Sequence, residues 1–122
     1  MSKTRLAWVG VLLLGACLSP TLPLPPPEEP GTISDLTDGA WSLTGRCIEG
    51  AQVIGYNDST GRGSVYIDRA TDGTYTLSIE GEACDVVVIQ QVVGDEASGE
   101  TRVLLQPTEN GEVVDPTLCS AQ

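Results

Sequence analysis

The sequence predicts an all-β fold, a small antiparallel β-sandwich, on three observations. From Ala40 to Gln106, apolar and polar residues alternate at period two through most segments. Turn-forming clusters of Gly, Asn and Asp recur at intervals of roughly ten residues. After the N-terminal apolar run, no segment sustains a helical period. Period-two patterning marks half-buried strands, and short strands at this spacing favour two packed antiparallel sheets.

The elements follow in order. Trp41, Leu43, Gly45 and Cys47 alternate with Ser42, Thr44 and Arg46, which predicts a first strand. Glu49-Gly50 turns the chain into a second, Ala51 to Tyr56. Asn57-Asp58-Ser59-Thr60-Gly61 is a loop, because Asn and Asp side chains bond their own backbone and Gly accepts positive φ. A third strand runs Gly63 to Asp68, with Val65 and Ile67 on one face. Asp72-Gly73 signals a tight hairpin into a fourth strand, in which Tyr75, Leu77 and Ile79 alternate with Thr74, Thr76 and Ser78. Cys84 to Val93 holds the continuous run Val86 to Ile89, suited to a central strand buried on both faces. Gly94 to Glu100 reads as an acidic loop and Thr101 to Gln106 as the last strand. The expected core is Leu77, Ile79, Val86 and Val88.

The N-terminus has a different character. Lys3 and Arg5 precede the apolar run Leu6 to Leu14, and the small residues Gly15 and Ala16 precede Cys17. This is a secretory signal. The run is well short of the about 20 apolar residues that a membrane-spanning helix needs. Leu14-Gly15-Ala16-Cys17 resembles the lipobox of bacterial lipoproteins. That resemblance implies cleavage before Cys17, a diacylglyceryl thioether on its sulfur and an acyl chain on its amine. Leu18 follows the cysteine in place of the Asp that would signal inner-membrane retention, which implies the outer rather than the inner membrane. Next comes Leu18 to Gly31, with six of the eight prolines. It is expected to be an extended polyproline II spacer of up to about 40 Å. The expected organisation is a signal peptide over 1–16, a lipidated N-terminus and linker over 17–39, a sandwich over 40–107 and a loose tail over 108–122.

Composition narrows the chemistry. Of 122 residues, 106 follow Ala16, enough for one domain with a modest core. Those 106 carry four arginines against 17 acidic residues, a side-chain net charge of −13, which repels nucleic acid and anionic lipid alike. A lipid anchor, not charge, must then hold the domain to a membrane. The chain has no His, and its one Lys lies at position 3, so histidine bases, imidazole ligands and lysine nucleophiles are ruled out after cleavage. Cys47, Cys84 and Cys119 stand more than thirty residues apart, unlike the short spacing of zinc ligands. In an oxidising compartment they make one disulfide and one odd thiol.

Gly50-Ala51-Gln52-Val53, the Asx-rich turn ending in Thr60-Gly61, and Thr71-Asp72-Gly73-Thr74-Tyr75-Thr76-Leu77 together resemble the carboxypeptidase regulatory-like domains, which have a transthyretin-like, prealbumin-type sandwich. The resemblance spans about Ser42 to Gln106. It implies a non-catalytic structural or binding accessory. It also places Cys47 and Cys84 at core-pointing positions, and so implies a Cys47–Cys84 disulfide with Cys119 as the odd thiol. A bridge from Cys119 to either of them, latching the tail, is the alternative. The Lys-to-Asn crosslink of the related adhesin domains is excluded, since no Lys follows position 3.

Several groups invite sharper readings. Asp68 and Asp72 suggest a calcium loop, but Ala70 occupies the middle ligand position and a hairpin turn is expected instead. Asp95, Glu96 and Glu100 suggest paired carboxylates, but on a short acidic loop they are expected to be solvated. Ser59 and Ser64 lack a histidine base. Tyr56 and Tyr66 are candidates for an aromatic binding platform if one sheet face exposes both. The expected function is a membrane-tethered, non-catalytic envelope lipoprotein without cofactor or nucleic-acid partner, binding an envelope protein or polysaccharide. The alternative is a small lipid-anchored enzyme or inhibitor.

Overall fold

The computed structural model describes residues 23–120. Residues 1–22, including the lipobox and Cys17, lie outside the described residues, as do 121 and 122. The segments expected as strands form β2 Ala40–Arg46, β3 Gln52–Asn57, β4 Gly63–Ile67, β5 Thr74–Glu80, β6 Val86–Val93 and β8 Thr101–Leu104, and β1 Thr32–Asp35 precedes them. Short strands β7 Glu96–Ala97, β9 Thr108–Glu109 and β10 Glu112–Val113 complete the set. One sheet has the order β10-β9-β1-β2-β5. The other has β4-β3-β6, with both β7 and β8 pairing on the far side of β6. All these pairings are antiparallel.

The inner faces meet in a core of Ile33, Trp41, Leu43, Tyr75, Leu77 and Ile79 from the first sheet and Val53, Val87, Ile89 and Leu105 against them. Alternation carried through β2 and β5 because each has one wet face. Ser42 and Ser78 are cross-strand partners, as are Thr44 and Thr76, outside the paired rows of Leu43 with Leu77 and Trp41 with Ile79.

Strand β6 is central, but its inward face differs from the expected one. Val87 and Ile89 enter the core, not Val86 and Val88. Val86 is half-buried, and Val88 is buried on the opposite face between Tyr56 and Arg102 of the neighbouring strands. A slip of one residue inverts every side chain, and an unbroken valine run contains no polar residue to mark the wet side. On β4 the aliphatic Val65 and Ile67 point outward and are 55% and 45% exposed, while Tyr66 packs on the core.

Both flanks of the expected sandwich belong to the sheet. β1, assigned to the linker, pairs with β2 from Thr32↔Thr44 to Asp35↔Trp41. The expected tail supplies β9, which pairs with β1, and β10, which pairs with β9. Their polar residues hide this role, since only Ile33 and Thr108 face inward and are buried.

The disulfide also differs from the expected Cys47–Cys84. Cys84 is bonded to Cys119, and Cys47 is free. The reason is position along the sandwich. Cys84 lies before β6, in a turn with left-handed backbone (φ 74°), and its N–H bonds the Leu105 carbonyl at one end. Cys47 follows β2 and bonds the Gly73 carbonyl at the other end. The bridge closes a loop with sequence separation 35, for which chain-entropy arithmetic gives about 4 kcal/mol.

Two outcomes check this fold. Leu77→Ala is expected to cost about 2 to 5 kcal/mol through lost burial and a residual cavity. Denaturant unfolding followed by the fluorescence of Trp41, the one tryptophan after position 16, reads it. Non-reducing peptide maps are expected to yield a linked fragment containing Cys84 and Cys119. A linked Cys47 peptide would contradict the assignment.

Candidate functional site

Three buried polar side chains organise the ends of the sandwich. At one end Asn57, fully buried on β3, donates to the Glu80 carbonyl at 3.1 Å and to Asp85 Oδ2 at 2.8 Å. Its Oδ1 accepts the Ser59 N–H at 2.8 Å. Asp85 also accepts the Glu82 N–H, and Trp41 Nε1 donates to the Gly81 carbonyl at 3.0 Å, so the β5–β6 turn is tied down from both sheets.

Asp68 lies at the opposite end, and its carboxylate joins two turns. Oδ2 accepts the N–H groups of Gly50 at 3.0 Å and Gly73 at 2.9 Å, and Oδ1 accepts that of Asp72 at 3.3 Å. These bonds, led by the one from Gly50, hold its pKa below the ordinary carboxyl value although burial pushes the other way. The calcium reading fails on this geometry: the carboxylate oxygens face N–H donors, which would repel a cation. Among the described residues no group of three or more His, Cys, Asp or Glu is placed to hold a metal ion. Burial raises the Cys47 thiol pKa, with the negative charges of Asp68 and Asp72 adding to it, so Cys47 is a poor nucleophile.

The third device is a clamp on the proline-rich segment at this same end. Gln91, 2% exposed on β6, accepts the Ile48 N–H through Oε1 and donates from Nε2 to the Pro25 carbonyl, both at 2.8 Å. Thr101 Oγ1 on β8 donates to the Pro27 carbonyl. Tyr75 on β5 donates its phenol to the Glu28 carbonyl at 3.1 Å. Burial, then the nearby Cys47, Glu28 and Glu29, push the Tyr75 pKa far up, so the phenol stays protonated and able to donate. Pro27 and Pro30 are buried. The fit needs a glycine at position 45, opposite Tyr75 on β2. A Cβ there would lie 2.6 Å from the phenol oxygen. The expected free spacer is therefore seated on the domain from Pro25 onward. An open groove of about 640 Å³ beside it is lined by Glu28, Glu29, Thr44, Arg46, Thr74 and Asn110.

The other candidates are not brought together. Tyr56 faces outward on β3 and bonds Glu100 at 3.4 Å, while Tyr66 packs inward, so no sheet face exposes the pair. Glu100 also lies 3.8 Å from Arg102, and Asp95 and Glu96 are exposed at the β6–β7 turn. Ser64 Oγ is buried without a hydrogen-bond partner, and Ser59 lies in the β3–β4 turn. Sequence reasoning missed the clamp. Its one legible signal was Gln91, in line with the inward Val87 and Ile89 of β6.

No family model, curated protein or solved structure matches the chain.

The lowered Asp68 pKa carries a pH dependence. Its stabilisation is complete above the unfolded carboxyl value of about 4 and is lost as pH falls through that value towards the folded one. Asp115, held down by the Thr117 hydroxyl and N–H, shifts the same way. Melting temperatures are expected to hold near neutrality and fall below about pH 4. Asp68→Asn is expected to melt lower at pH 7 with a shallower acid limb. An acid limb as steep as that of the parent protein would remove Asp68 from this role.

Proposed function

We propose that the chain is a lipid-anchored, non-catalytic β-sandwich of the bacterial envelope. Its sandwich is of the transthyretin-like, carboxypeptidase-regulatory type, and it serves as a structural or binding accessory at the outer membrane. The observation that carries this reading is Leu14-Gly15-Ala16-Cys17 closing a basic and then apolar run. The side-chain net charge of −13 after Ala16 leaves attachment to a membrane to acyl chains. One acyl chain binds only reversibly, whereas two or more anchor stably. The sandwich type is supported by the placement of the matching residues: Gln52-Val53 and Thr74 to Leu77 lie on strands of the two facing sheets. The accessory role is supported by the buried polar groups Asn57, Asp68 and Gln91, whose bonds go to the chain itself.

Mass spectrometry of the protein extracted from its native membrane is expected to give an N-terminus at Cys17 with added fatty-acyl mass. Cys17→Ser is expected to release it to the soluble fraction. A native protein that begins elsewhere, or that lacks acyl mass, would refute the reading.

A further inference from the structure

A proline-rich segment offers carbonyl acceptors and few N–H donors, because proline has none. The Tyr75, Gln91 and Thr101 side chains come from three strands of both sheets and present donors to three such carbonyls within four residues. Polyproline recognition rests on the same complementarity, since a preformed extended segment loses little entropy on docking. We propose that this end of the sandwich is a polyproline-binding cleft filled in cis by Pro25–Glu28, and that it latches the domain upright with the clamped end towards the lipid. The orientation rests on acylation at Cys17; the cleft does not.

Chain lengths decide whether the latch matters. From Cys17 to Pro25 is eight residue steps, at most about 29 Å. With the segment unlatched, the chain would be free back to β1 at Thr32, fifteen steps and at most about 54 Å. The seven-residue strands β2 and β5 make the sandwich about 23 Å long. A leash near the length of the domain, entering at one end, keeps that end nearest the lipid. A leash twice as long lets the domain roll over. The end with the β3–β4 and β5–β6 turns and the Cys84–Cys119 bridge then faces outward.

The test uses the mature acylated protein in nanodiscs of phosphatidylethanolamine and phosphatidylglycerol, with a gadolinium chelate on a fraction of the headgroups. Amide signals of Gly50, Gly73 and Gly94 are expected to broaden strongly, and those of Ser59, Gly61 and Gly81 to remain sharp. Tyr75→Phe combined with Thr101→Val removes two donors while keeping shape, and a melting curve verifies its fold. In that variant the difference between the ends is expected to shrink at least twofold. Equal broadening of both ends in the acylated parent overturns the orientation, and an unchanged difference in the variant overturns the latch. Cleavage by a Glu-specific protease between Glu28 and Glu29 scores the cleft without lipid. It is expected to run several-fold faster in the variant, and an equal rate sinks the cleft. Absence of acyl mass at Cys17 would instead refute the anchor, and the orientation with it.

Discussion

Everything in this domain depends on two aliphatic surfaces closing on each other: Leu43, Leu77 and Ile79 from one sheet against Val53, Val87 and Ile89 from the other. The domain has no Phe, and Tyr75 is its one fully buried aromatic side chain, so the core is thin and built from branched aliphatics. A small domain buries a limited share of its surface, and the ends of such a sandwich are its weak points. Each end is closed by polar side chains that reach across from strands to turns.

The two ends solve this problem differently. At one end Asn57 and Asp85 hold the β5–β6 turn, and the Cys84–Cys119 bridge pins the segment around Cys119 over it. At the other end Asp68 gathers three backbone N–H groups from two turns, and Gln91 ties one of those turns, through Ile48, to the proline-rich segment. A segment that cannot pair in a sheet thus becomes part of the fold, because side-chain donors replace the missing ladder.

A buried, donor-rich end sets the protonation of the chemically suggestive residues there. Asp68 has spent its lone pairs on N–H groups, the Cys47 thiol is held protonated by burial and neighbouring carboxylates, and Tyr75 keeps its proton as a donor. Asp68 and Tyr75 are both hydrogen-bonded within the chain.

The sequence by itself determined the all-β class, six principal strands and the wet and dry faces of β2 and β5, because alternation and turn residues act locally and do not depend on a partner. It also determined the central place of β6. Only the tertiary structure decided which face of the Val86–Ile89 run turns inward, since that depends on the register with Asn57 and Gly55 of β3. The same holds for β1, β9 and β10, whose polar residues become strands through pairing with one another and with β2. Cysteine pairing is a statement about distance, and Cys47 and Cys84 sit at opposite ends. The proline segment shows the limit most clearly. Its proline run is legible locally, but its seat requires Tyr75, Gln91 and Thr101, three residues from three strands that only folding brings to one place.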